Sequence, residues 1–201
     1  MKLVVATRNR GKLREIVALL RPVDGVVLST IDELAPDAEL REDGATFEEN
    51  ALAKARQAAA ATGMPAIADD SGLEVDALGG APGVYSARYA GLPSDDARNN
   101  AKLLDALRDV PAGERGARYR CVAAFVDPAR GAEIVRDGSC GGEILPAPRG
   151  TGGFGYDPLF LVPRLGRTMA ELPLDEKNGL SHRAAAFTAL AAALPDYFRT
   201  R

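Results

Sequence analysis

The sequence predicts a mixed α/β fold around a partly antiparallel sheet. Three observations predict it. The chain opens with a β-α-β pattern. An alanine-rich helix with a strong start signal then leads into a short apolar run. From Arg118 to Cys140, two strand-like runs flank a hairpin connection. The length of 201 residues suits a single domain, or one domain with two lobes. A content of 46% hydrophobic and 26% charged residues is that of an ordinary globular protein.

Leu3 to Ala6 reads as a first strand, apolar on both faces and therefore central. Thr7-Arg8-Asn9-Arg10-Gly11-Lys12 reads as a polar turn. Leu13, Ile16, Val17, Leu19 and Leu20 then recur at helical spacing up to Pro22. Val26 to Leu28 is a second short strand, and residues 32–45 are polar and loop-like. Thr46, with Glu49 after it, is a capping box that opens a helix running to about Thr62, where Gly63 and Pro65 stop it.

Ala66 to Ala68 is the next strand, and Gly79-Gly80-Ala81-Pro82-Gly83 a tight loop. Asp95 to Leu107 reads as a helix. Arg118 to Val126 and Ala132 to Cys140 read as antiparallel strands joined through Asp127-Pro128-Ala129-Arg130-Gly131. Leu145 to Tyr156 is a Gly- and Pro-rich loop, and Leu159 to Val162 a last short strand. Ser181 caps a final helix that ends near Leu194, before Pro195.

A formal net charge of −3 argues against a broad electrostatic grip on nucleic acid. The opening apolar run is too short for a signal-peptide core, and no stretch approaches a membrane span. The only two cysteines, Cys121 and Cys140, lack metal spacing and read as free thiols. A cytoplasmic protein is expected.

Ala66-Ile67-Ala68-Asp69-Asp70-Ser71-Gly72 carries the sharpest chemical signal. An apolar run ends in two adjacent carboxylates, which are costly near a core unless their charge is offset. A hard divalent cation is one such partner, and it commonly also touches phosphate. Asp-Asp-Ser-Gly is equally a good turn. Neighbouring strand residues point to opposite faces, so only one of Asp69 and Asp70 is expected to act as ligand or base.

Four further segments bear on that choice. Thr7 to Lys12 lies between a strand and a helix, where backbone N–H groups bind anions, and Arg8, Arg10 and Lys12 add charge. It lacks the Walker spacing and alone is also an ordinary solvated turn. Glu42 to Asn50 holds four acids in nine residues. The helix dipole accounts for Glu48 and Glu49 but not for Glu42, which is placed to share a cation with the Asp pair. Gly150-Thr151-Gly152-Gly153-Phe154-Gly155-Tyr156-Asp157-Pro158 sets two aromatic rings among four glycines. That suits a stacking platform for a base, or rings that pack into the core. Glu176 to Arg183 contains the only histidine, His182, beside Arg183 and near Lys177. Those donors suit carbonyl or phosphate oxygens, or form a solvated surface.

Six segments, in chain order from Thr7 to Arg183, resemble the inosine triphosphate pyrophosphatase family. They are Thr7-x-Asn9-x-x-Lys12, Thr46 to Ala51, Ile67 to Leu73, Ala77 to Tyr89, Gly153 to Pro158, and Glu176-Lys177-Asn178 with Ser181-His182-Arg183. The resemblance implies an elongated, two-lobed α/β fold with the site in a cleft between the lobes, and usually a homodimer. It implies Mg²⁺-dependent cleavage of non-standard purine nucleoside triphosphates (ITP, dITP, XTP) between the α and β phosphates. By that likeness Asp70 is the general base and a metal ligand, and Glu42 a second metal ligand. Thr7, Arg8, Asn9, Arg10, Gly11 and Lys12 hold the triphosphate. Ser71, Phe154, Gly155, Tyr156, Asp157, Lys177, His182 and Arg183 contact substrate. A related enzyme for modified pyrimidine nucleotides, or a nucleotide-binding module without turnover, is the alternative.

Overall fold

The structure, a computed structural model, describes residues 2–20 and 25–199. Its strands are β1 (Lys2–Val5), β2 (Val27–Thr30), β3 (Ala66–Val75), β4 (Gly116–Asp127), β5 (Ala132–Ile144), β6 (Phe160–Val162) and β7 (Arg167–Thr168). Its helices are α1 (Arg10–Leu20), α2 (Ile31–Leu34), α3 (Phe47–Thr62), α4 (Asp96–Ala106), α5 (Leu174–Asn178) and α6 (His182–Arg199). Among the described residues, seven strands form one sheet in the order β2-β1-β3-β4-β5-β6-β7. β1 pairs in parallel with β2 and β3, whereas β5-β6 and β6-β7 are antiparallel. The sheet is therefore mixed and partly antiparallel, as expected.

The chain divides into two compact units. The first comprises Met1–Asp70, Cys121–Gly138 and His182–Arg201, and the second Ser71–Arg120 and Ser139–Ser181. Each has its own apolar core. In the first, Leu3, Val5, Ile16 and Ile67 pack with Phe125, Phe187 and Leu190. In the second, Leu73, Leu103 and Leu107 pack with Tyr119, Tyr156 and Phe160. Leu3, Val4 and Val5 are at most 1% exposed, which is the burial a strand flanked on both edges requires.

Several boundaries differ from the sequence reading, each for a local reason. α1 begins at Arg10, not Leu13, because the Asn9 side chain accepts the Lys12 N–H at 3.0 Å and caps the helix there. The point where that helix was expected to stop, Pro22, lies outside the described residues. The polar stretch 32–45 contains α2, nucleated by a capping box between Thr30 and Glu33. Thr46 does cap α3, but Glu49 turns its carboxylate to the Ala45 N–H at 2.7 Å, so the reciprocal half of that box goes one residue further out. Ala66 to Ala68 opens a ten-residue strand that carries Asp69, Asp70, Ser71 and Gly72 within it, which excludes the turn reading. β7 and α5 carry no strong sequence signal.

α6 continues through Pro195 to Arg199. Proline removes one helical N–H, but tertiary contacts in the first unit hold the last turn. The Tyr197 hydroxyl donates to Asp127 at 2.8 Å and Arg130 donates to the Tyr197 carbonyl at 2.8 Å. Both cysteines are free, Cys121 buried and Cys140 half-buried.

Candidate active site

In the first unit, β3 carries Asp69 and Asp70 on successive positions, and the pleat sends them to different partners. Asp69 is fully buried. Its Oδ2 lies 3.2 Å from Lys12 Nζ and accepts from Arg183 Nη2 at 3.2 Å and Nε at 3.3 Å. Arg183, itself 1% exposed, also pairs with buried Glu15 on α1. The Cys121 thiol approaches the same Asp69 oxygen at 3.9 Å. Burial works against the Asp69 charge, but Lys12, Arg183 and Lys54 outweigh it and hold the carboxyl far below the usual range.

Asp70 meets α3 instead. Its Oδ2 accepts from Asn50 Nδ2 at 3.0 Å, and its Oδ1 lies 3.5 Å from Lys54 Nζ. Glu42 pairs with the same ammonium. Asn50 is fixed in turn by the Gly44 N–H, which donates to its Oδ1 at 2.8 Å. Only glycine allows that approach: a Cβ at position 44 falls 2.7 Å from Glu49 Cβ and 2.8 Å from Asn50 Oδ1. Burial raises the Asp70 pKa against the partial opposition of Lys54 and Lys12. Glu42 is also half-desolvated, which raises its pKa, but Lys54 beside it wins and the net shift is down.

The residues expected to cradle phosphate have distinct local tasks. Thr7 Oγ1 accepts the Asn9 N–H at 3.2 Å, and Asn9 caps α1. Arg8 pairs with Asp32 at 2.9 Å and donates to the carbonyls of Pro36 and Ala38, which ties down the loop after α2. Arg10 is exposed, Gly11 is half-exposed, and both lie in the first turn of α1. Lys12 is the member of this segment that reaches the Asp pair.

The second unit gathers another set. Asp157 accepts from Lys177 Nζ at 2.5 Å, from the Phe154 N–H at 2.9 Å and from the Tyr119 hydroxyl at 3.3 Å. Lys177 Nζ lies 4.9 Å from the centre of the Phe154 ring. Gly153 permits this turn: its φ is +70°, and a Cβ there falls 2.1 Å from Asp157 Oδ2. Phe154 and Gly155 are half-exposed, but Tyr156 is 4% exposed, packs in the core and donates its hydroxyl to the Ser86 carbonyl at 2.8 Å. The glycine-rich segment thus offers one ring, not two, for stacking. Ser71 is half-buried in β3, within this unit.

Buried His182 starts α6 in the first unit, next to Arg183. Arg183, expected to contact substrate, is held in ion pairs with Glu15 and Asp69. Lys54, Asn50 and Glu15 complete the first-unit set. Lys54 and Asn50 sit one helical turn apart on α3 (Phe47–Thr62), on the face that Glu42 and Asp70 meet.

Among the described residues, no group of three or more His, Cys, Asp or Glu side chains is placed to hold a metal. A hard cation that completes its shell with substrate phosphates and water needs only one or two carboxylates. Glu42 and Asp70 fit that need, since both already converge on one positive charge, the Lys54 ammonium.

The sequence model of the Ham1 family matches residues 3–193. The chain belongs to the Ham1 family. Among members of that family, the Geobacter sulfurreducens dITP/XTP pyrophosphatase is 57% identical over 189 residues, 94% of each chain. The dITP/XTP pyrophosphatase of Escherichia coli O157:H7 is 51% identical, across 96% of this chain and 98% of its own. The fold matches the Staphylococcus aureus Ham1 protein with a TM-score of 0.86 at 42% identity, covering 98% of this chain and 100% of that one. It matches a Mycobacterium abscessus nucleoside-triphosphatase (dITP/XTP pyrophosphatase) at 0.75 and 47% identity, covering 97% and 100%.

Proposed function

We propose that this Ham1 chain is a dITP/XTP pyrophosphatase, a hydrolase that also takes ITP and releases the monophosphate and pyrophosphate. The observation that carries the reading is the divided Asp pair of β3. One carboxylate is locked to Lys12 and Arg183, and the other faces Asn50 and a Lys54 shared with Glu42. A pure phosphate binder has little use for buried acids arranged this way. The dITP/XTP pyrophosphatases to which the chain is more than half identical support the same activity.

In this reading Glu42 and Asp70 would hold Mg²⁺, which when bound would supply positive charge to the triphosphate and the leaving pyrophosphate. Asp70 accepts the proton of the attacking water. Lys12 and the backbone N–H groups at the start of α1 receive the phosphates. Asp69 orients Lys12. Phe154 is the stacking face for the base, and Lys177 and His182 are further substrate contacts. Ser71 contacts substrate without acting as a nucleophile.

Base choice follows from hydrogen-bond complementarity. Hypoxanthine and xanthine present an accepting 6-oxo group, whereas the 6-amino group of adenine donates. Donors buried against another donor cost about 1–3 kcal/mol each. We further infer a cytoplasmic homodimer that binds neither nucleic acid nor membrane, in line with the net charge of −3. Among the described residues, no helix is long and apolar enough to cross a membrane.

The test is a turnover screen of common and deaminated nucleoside triphosphates with Mg²⁺, read as pyrophosphate release. dITP, XTP and ITP should lead it. Nucleotide binding without pyrophosphate release at every Mg²⁺ concentration overturns the proposal. Preference for a modified pyrimidine triphosphate overturns its substrate class.

A further inference from the structure

One helix grips both polar groups of the Gly155 residue. Asp96 Oδ2 accepts the Gly155 N–H at 2.7 Å, and Asn100 Nδ2 donates to the Gly155 carbonyl at 2.8 Å. Asp96 and Asn100 stand one turn apart on α4, so they share a face. Gly155 has a φ of +61°, which a residue with a Cβ adopts only under strain.

The helix is itself well anchored in the second unit. Leu103 is fully buried in that unit's core. Asn99 accepts the Ala90 N–H at 2.7 Å and donates to the Ala87 carbonyl at 3.1 Å. On the other side of Gly155, the Phe154 N–H is tied to Asp157. The backbone that carries the half-exposed Phe154 ring is thus fixed before and at the glycine.

We infer that Asp96 and Asn100 are positioning residues for purine binding. They hold the Gly155 peptide so that Phe154 stands as a preformed stacking face. This rests on the function proposed above, in which that ring meets the base. The physical gain is preorganisation: a loop ordered in advance does not draw its ordering entropy from the binding energy. The hold acts equally on ground and transition states, so its loss raises KM and leaves kcat. The Asp96 contact is charge-assisted and the stronger of the two.

The experiment compares Asp96→Ala, Asn100→Ala and Asp96→Asn with the wild type. It measures KM and kcat for dITP, and amide hydrogen exchange over residues 153–156 without nucleotide. Each alanine variant should raise KM about five- to tenfold, the worth of one such hydrogen bond. kcat should stay within about twofold, and exchange at the Gly155 amide should accelerate. Asp96→Asn keeps an acceptor for that amide and should restore most of the KM. Unchanged exchange, or an unchanged KM beside faster exchange, overturns the inference, as does a fall in kcat at constant KM. Calorimetric binding of inosine monophosphate separates this from the activity itself. Weaker binding by the alanine variants supports the clamp even where the wild type releases no pyrophosphate, and equal binding overturns it.

Discussion

Burial makes the Asp70 carboxylate harder to ionise, and Lys54 and Lys12 offset only part of that cost. Asp70→Asn keeps an oxygen to accept from Asn50 but removes the basic charge. Its kcat for dITP should fall about 10²- to 10⁴-fold with the melting temperature little changed, as read by pyrophosphate release and calorimetry. Asp69 has the opposite electrostatics. Its carboxyl titrates well below the usual range because, against its burial, Lys12, Arg183 and Lys54 favour the charge. A depressed folded pKa contributes stability that is complete above the unfolded value, about 3.9, and is lost as pH falls through the folded one. Asp69→Asn should therefore lower stability by about 3–5 kcal/mol at pH 7. The gap from the wild type should be flat above about pH 5 and close below about pH 4, as read from urea midpoints. A variant as stable as the wild type at pH 7 removes Asp69 from the network. The acids themselves were legible in the sequence, because charge at the end of an apolar run demands a partner. The partners were not: Arg183 meets Asp69 across 114 positions and Glu15 across 168, and no local pattern encodes such pairs.

Strong local signals placed most elements well. The Thr46 cap and the Gly63 stop fall where composition puts them, and the helix expected from Asp95 starts one residue later with Asp95 as its cap. Elements that depend on distant contacts stay undecided in the sequence. Asp69 to Gly72 has turn composition but lies in β3 (Ala66–Val75), since ion pairs offset the burial of its acids. Tyr156 has the look of a stacking ring but belongs to the core, because Ser86 supplies a buried acceptor for its hydroxyl. One packing constraint is visible only in three dimensions. At Gly138, in β5, an added Cβ falls 2.4 Å from the His182 carbonyl oxygen and 2.5 Å from the Ala186 nitrogen. Both contacts are backbone, so α6 must move to admit a methyl group. Gly138→Ala should cost about 1–3 kcal/mol in denaturant unfolding. Turnover should fall too, because Arg183 rides on the displaced turn; a variant of wild-type stability would show that α6 yields freely.

For the molecule as a whole, the sequence conveys a mixed sheet, but not where the chain passes between the two compact units. That division follows packing density, to which apolar periodicity along one segment is blind. The proposed metal requirement can be tested at this scale. Lys54 already pairs with Glu42 and Asp70, so these two carboxylates have a positive partner without a cation. Chelation should abolish pyrophosphate release from dITP while the melting temperature moves by no more than about 2 °C, equivalent to roughly 0.5–1 kcal/mol. A large fall in melting temperature would make the metal structural. The two units also bear on how this protein can be taken apart. The first is assembled from three stretches of chain and the second from two, in alternation. No single cut frees either one whole, and an N-terminal fragment that extends past Asp70 carries parts of both hydrophobic interiors. The first unit is interrupted twice along the chain by the second, so the two interiors are completed only when both late segments have been made.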